Sequence, residues 1–186
     1  MRHIPENVNI SVYNVESNGA LHNYLKHINN YVCSEYFGPY DIVGKDQNGI
    51  LNVDLEDIPF DQNSFDYVIT TEVFEHIPRP YKAFEEIHRV LKKGGSHIFT
   101  VPFKSGYDDE IRATMNEKNE INHLMKPEYH GDPIRNEDGI LVFTVFAGEM
   151  ISKLERMGFK VTMNKRRNLV YGILGDENRV FTATKI

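Results

Sequence analysis

The sequence predicts an α/β fold: a doubly wound, mostly parallel seven-stranded sheet with helices on both faces and one antiparallel strand near the edge. Three observations predict it. Strand-like runs alternate with helix-periodic segments through the first five strands, the pattern of parallel pairing through right-handed crossovers. Polar and acidic residues sit where those strands run out, as in Asp54 and Glu72. Two last strands follow each other through a short connection, which suits an antiparallel pair, because a parallel pair needs a longer crossover.

The elements follow in order. Asn9 to Val15 (NISVYNV) alternates apolar and polar residues and reads as the first strand. After Gly19, the text ALHNYLKHI puts Leu21, Tyr24, Leu25 and Ile28 on one helical face. Tyr31 to Tyr36 and Ile50 to Leu55 are the second and third strands, separated by the loop GPYDIVGKDQNG, dense in Gly, Asn and Asp. Phe65 to Thr71 (FDYVITT) is the fourth, apolar enough for burial on both faces. Pro80 opens a helix with Phe84, Ile87, Val90 and Leu91 at helical spacing, and Gly94-Gly95 reads as its stop. Ser96 to Val101 is the fifth strand. A polar stretch from Lys104 to about Gly139 then lacks clear periodicity, and a segment of that length is usually functional or partly helical. It reads as a lid or acceptor-binding insert within a single domain of residues 1–186. Met150, Ile151, Leu154 and Met157 mark a further helix stopped by Gly158; Phe159–Met163 and Val180–Thr184 are the closing strands.

Composition narrows the function classes. The 186 residues carry a net charge of -6, which argues against a nucleic-acid backbone as the main partner, since that needs a basic footprint. The small basic cluster Lys160, Lys165, Arg166 and Arg167 reads as a solvated strand end. Cys33 is the only cysteine, so neither a disulfide framework nor a thiolate zinc site is expected; inside YVC it reads as a buried strand thiol. No apolar run approaches the ~20 residues of a membrane span, and the first residues lack a signal-peptide apolar region. These readings predict a cytoplasmic protein without membrane or nucleic-acid partners, as a monomer or homodimer.

The densest text is Asp54 to Pro102, containing D-L-E-D-I-P-F-D-Q-N-S-F-D, then Glu75-His76, then L-K-K-G-G. It resembles the class I, Rossmann-like S-adenosylmethionine-dependent methyltransferases, in the type 11-like branch. The resemblance implies S-adenosyl-L-methionine as cofactor and methyl transfer to an oxygen or nitrogen of a small-molecule or sugar acceptor. It assigns Glu35, 16 residues past Gly19, to the ribose diol, with Tyr36 over the adenine face and Asp54-Leu55 at the adenine amine. It puts Thr70, Thr71 and Glu72 beside the methionine tail and methyl group. Where the family has D/E-x-G-x-G-x-G, this chain has YNVESNGA, with Glu16 near the acidic position, Ser17 in place of a glycine and Gly19 retained.

Each residue also has a plainer reading. Glu35 can be an exposed strand end, and Asp54 can cap the turn LEDIPF. His76 can be a base or a residue that orders its loop. His130, beside Tyr129 and Asp132 in the insert, is a candidate base or acceptor ligand, and Phe103, Tyr107, Tyr129 and Phe143 are candidate pocket walls or ordinary packing. His123, His130 and Asp132 have metal-ligand chemistry but no enforcing spacing, so no metal is expected. The alternative to an enzyme is a cofactor-binding or scaffold domain that has lost its glycine loop. A nicotinamide-dependent enzyme would need a G-x-G-x-x-G loop, which is absent.

Overall fold

The computed structural model describes residues 9–38, 46–47, 49–131, 139–165 and 178–186. The expectations placed on Asp132, Arg166 and Arg167 lie outside the described residues. The main sheet contains β1 (Ser11–Asn14), β2 (Asn30–Glu35), β3 (Asp46–Gln47), β4 (Ile50–Asn52), β5 (Phe65–Thr71) and β6 (Leu91–Thr100). The insert adds β7 (Glu110–Ile111), β8 (Ala113–Met115), β9 (Ile121–His123) and β10 (Tyr129–His130), and then come β11 (Ile140–Leu141) and β12 (Thr144–Val145). The chain ends with β13 (Phe159–Lys165) and β14 (Arg179–Lys185), and the helices are α1 (Gly19–Leu25), α2 (Pro80–Val90) and α3 (Gly148–Arg156).

Strand order is β13-β14-β6-β5-β1-β2-β4-β3. The pairs β1/β2, β1/β5, β2/β4 and β5/β6 are parallel. β14 runs antiparallel between β6 and β13. That is the expected seven-stranded layout, to which the two-residue β3 adds a short antiparallel edge. From β1 the chain steps outward to β2 and β4, then returns to β5 on the other side of β1. Such a reversal opens a crevice at the carboxyl ends of β1 and β5, where doubly wound sheets bind ligands.

The two sheet faces are covered unequally. One carries α2, whose Pro80, Ala83, Phe84, Ile87 and Val90 are buried, and α3, which buries Met150 and Leu154. Tyr13, Val68, Phe99, Phe181 and Ala183 are within 1% of complete burial in the same core. Phe84 stacks on Phe74 at 4.0 Å between ring centres and meets Phe99 edge-on at 5.5 Å. The other face carries α1, held through His22 Nδ1 on the Tyr31 hydroxyl (3.0 Å). Its seven residues bury Leu25 alone, and Tyr24 stays 38% exposed, so the expected four-residue apolar face is not formed. The helix stops at Leu25, before Ile28.

That imbalance corrects two expectations. β5 has the expected bounds, but it is not buried on both faces: Tyr67 is 39% exposed, because only a short helix covers that side among the described residues. Nor do Gly94 and Gly95 end α2, which stops at Val90 and runs straight into β6. The glycines form a bulge in that strand, where pairing with β5 shifts from Phe65↔Leu91 to Tyr67↔Ser96. Gly94 has φ +80°, and a Cβ on Gly95 would lie 3.0 Å from Asp66 O. The described residues of the insert, 104–131, contain no helix and form short ribbons: β8/β9, β7/β12 and β10/β11.

Candidate active site

On the β1–β2–β4 side, the acid that ends β2 meets the turn after β1. Ser17 donates to Glu35 Oε1 through both its backbone N–H (2.8 Å) and its hydroxyl (2.7 Å). Serine in the glycine position therefore fixes the turn by bonding to the acid assigned to the ribose. Both bonds land on Oε1, so the loop does not engage Oε2. The turn is shaped by Asn14, buried at 1%, whose amide donates to Glu16 O (2.7 Å) and Tyr31 Oη (3.0 Å). Gly19 takes φ +81°, and a Cβ there would lie 3.0 Å from Glu16 Oε1. Burial and then the charge of Glu35 push the Glu16 carboxyl above its ordinary range, while His22 pulls it back. Two neighbouring carboxylates thus face each other at the β1–α1 turn.

Asp54, two residues past β4, accepts Glu56 N–H on Oδ1 at 2.8 Å, so it does cap the LEDIPF turn. Leu55 buries its side chain in the core, and Tyr36 is 41% exposed. Asn52, which sequence reasoning missed, is fully buried at the end of β4; its Oδ1 accepts Phe37 N–H at 2.9 Å and its Nδ2 has no partner among the described residues. An asparagine inside a short strand gives no signal until its neighbours are known.

Where β5 ends, Thr71 and Glu72 are exposed, and Glu72 holds a left-handed φ of 50° that non-glycine residues rarely adopt. Its N–H donates to Thr100 O at 3.2 Å. Thr70 turns inward instead, its hydroxyl on His97 Nε2 at 3.0 Å in the core. His97 is thus a fully buried histidine of the core. The single turn Phe74–His76 follows. Phe74 anchors it in the core, and Phe143 N–H donates to Glu75 O at 2.7 Å, drawing the insert's return path onto it.

This turn sets His76 beside His130 of β10, the other predicted histidine, and adds an acid, Glu75, to which sequence reasoning gave no role. Glu75 is fully buried, and neither carboxylate oxygen has a hydrogen-bond partner among the described residues. Burial, with the neighbouring Glu72, pushes its pKa up to about 8. His76 Nε2 lies 3.7 Å from Glu75 Oε1, and His130 Nδ1 lies 3.8 Å from the same atom. The two rings meet edge to face at 5.1 Å. His76 Nδ1 is 2.9 Å from Leu141 O, and a carbonyl only accepts, so that nitrogen bears the proton and Nε2 presents its lone pair. His130 Nε2 is 3.5 Å from Glu128 Oε1. Of the candidate walls, Phe143 and Phe103 pack inward, while Tyr107 and Tyr129 are more than half exposed.

Residues 17–99 match the family model described as a methyltransferase domain. Demethylmenaquinone methyltransferase of Clavibacter sepedonicus is 33% identical over 79 residues, 39% of this chain and 32% of that protein. Among solved structures, an S-adenosylmethionine-dependent methyltransferase of Mesorhizobium loti superposes with TM-score 0.61 at 12% identity, over 98% of this chain and 94% of that one. A Burkholderia thailandensis 1,6-didemethyltoxoflavin-N1-methyltransferase with bound S-adenosylhomocysteine gives TM-score 0.56 at 12% identity, over 95% and 71%. The chain spans about a third or less of the length of the curated relatives it matches first. Its fold is the class I methyltransferase fold, and residues 17–99 are similar to a methyltransferase domain. Among the described residues, no helix is long and apolar enough to cross a membrane.

Proposed function

We propose that this chain transfers the methyl group of S-adenosyl-L-methionine to an oxygen or nitrogen nucleophile on a small-molecule or sugar acceptor. The observation that carries the reading is Glu35, at the end of β2, joined through Oε1 to the β1–α1 turn with Oε2 left to a ribose hydroxyl. The crowded Glu16 and Glu35 carboxylates suit the ammonium of the methionine tail, since a cation relieves their repulsion. Asp54 keeps Oδ2 for the adenine amine while Oδ1 caps its turn.

The acceptor side is the turn after β5 with the insert above it. His130 is 37% exposed and His76 is 12% exposed, so His130 is the more accessible base. It takes the proton of the acceptor as the nucleophile's lone pair attacks the methyl carbon, and the donor's sulfur leaves with the C–S bond pair. Proton removal and in-line alignment behind the methyl carbon account for the catalysis. The described insert, residues 104–131, is the lid in this reading. Nitrogen acceptors fit relatives named for N-methylation of sarcosine and dimethylglycine. The test is a screen of small amines and sugars with methyl-labelled cofactor. Label entering an acceptor supports the reading. Tight cofactor binding without transfer to any acceptor favours the scaffold alternative, to which the replaced loop glycine points.

A further inference from the structure

The cluster at the β5 end has the chemistry of a metal centre. One carboxylate oxygen of Glu75 and one nitrogen each of His76 and His130 lie within 4.8 Å of one another. Ligand atoms around a tetrahedral zinc ion stand ~3.3 Å apart for bonds of ~2.0–2.1 Å, so small side-chain movements close this set onto one ion. Two independent features orient it. Glu75 is a completely buried carboxylate, aimed at both histidines, without a hydrogen-bond donor on either oxygen among the described residues. A buried carboxylate left so is costly, and a cation between it and the imidazoles removes that cost. Second, each histidine has an oxygen on its far nitrogen: His76 Nδ1 faces Leu141 O at 2.9 Å, and His130 Nε2 faces Glu128 Oε1 at 3.5 Å. A carbonyl or carboxylate on the outer nitrogen fixes the tautomer that turns a lone pair toward a metal.

We propose that Glu75, His76 and His130 bind one divalent transition-metal ion of the zinc class, with Glu128 and the Leu141 carbonyl as its outer shell. Two imidazoles and one carboxylate leave a coordination position open, the arrangement of a reactive rather than a purely structural zinc site. His130 is the most exposed ligand, so the open position lies on its side of the cluster. Glu75 and His76 come from the turn after β5 and His130 from β10, so the ion would also tie the insert to the sheet. An acceptor hydroxyl or amine on the open position would be acidified there, and with the ion bound His130 would act as its ligand in place of the free base given above; that use rests on the methyl-transfer reading, whereas metal binding does not.

The test uses the full chain, stripped with chelator and dialysed against zinc, then against cobalt as a spectroscopic probe, without methyl donor or acceptor. We expect one equivalent bound, and visible cobalt bands of a four- or five-coordinate nitrogen and oxygen site. His130→Ala, at a partly exposed position, should lose the bands while keeping its thermal midpoint without metal. Glu128→Gln should weaken binding about 10-fold or more as an outer-shell change. Failure of folded wild-type protein to bind either ion, or unchanged binding in the His76→Ala/His130→Ala double variant, overturns the proposal. If the double variant does not fold, His130→Ala alone decides. Because neither donor nor acceptor is present, failure here leaves the methyl-transfer reading standing, and lack of methyl transfer leaves a positive metal titration standing.

Discussion

The two halves of the site are built in opposite ways. On the β1–β2–β4 side, the carboxylates already have partners: Glu35 takes two bonds from Ser17, and Asp54 takes one from Glu56. On the β5–insert side, Glu75 is more deeply buried, with no hydrogen-bond partner among the described residues and two imidazoles 3.7 and 3.8 Å away. In the proposed reading the first half is a preformed cradle in which each acid keeps one oxygen for a ligand. The second holds an unsatisfied group that waits for a proton or a cation. Binding should therefore be robust in the first half, and chemistry should be sensitive in the second.

The largest expected effect comes from the sheet beneath the second half, where His97 packs against Phe74, the anchor of the Glu75–His76 turn. Complete burial lowers the His97 pKa from 6.5 to about 3. The unfolded chain takes up this proton below pH 6.5 and the folded one does not. The stabilisation from neutral His97 is thus fully present above that value and is lost as pH falls toward 3, costing about 3 kcal/mol by pH 4. Urea unfolding at pH 7 and pH 4 should show this loss shrinking by about that amount in His97→Gln. An identical pH dependence in the variant would show that His97 charges freely in the folded state.

Next comes the contrast between halves. His130→Ala should lower turnover by ~10²-fold or more and leave cofactor affinity nearly unchanged, as expected for a group that acts on the acceptor. Glu35→Ala should do the reverse, weakening S-adenosylhomocysteine by roughly 10- to 100-fold through loss of a charge-assisted hydrogen bond. If both substitutions moved affinity and turnover together, the division into halves would fail. Asp54→Ala should have a smaller effect: a several-fold loss of affinity, with roughly 1 kcal/mol of stability lost with the Glu56 cap.

The smallest effect concerns motion. Residues 104–131 form ladders of two or three residues, and Ile121, Leu124 and Met125 are 46–54% exposed. Few buried contacts should let this insert exchange amide hydrogens well before β5, and slow when cofactor and acceptor bind. Equal protection in the free protein would remove the lid.

The same division explains what was legible in the sequence. β5 was bounded correctly because FDYVITT is a long apolar run ended by polar residues, and Glu35, which the family resemblance singles out, does close a strand, β2. These are local signals. The Glu75–His76–His130 cluster is assembled over 55 residues of chain by the β10/β11 pair and the Phe143-to-Glu75 backbone bond. Strands of two residues leave no periodicity to read. The Gly94-Gly95 pair misled for a related reason: a helix stop and a β-bulge both need glycine, and only the partner strand tells them apart. The exposure of Tyr67 was equally hidden, since it depends on how little of the sheet α1 covers.

The most direct test of the central claim is a calorimetric titration of S-adenosylhomocysteine into the full chain and into Glu35→Ala. The account predicts saturable binding at one site in the wild type, and roughly 10- to 100-fold weaker binding in the variant with its thermal midpoint without ligand little changed. No binding at millimolar ligand, or equal affinity in both proteins, would contradict it.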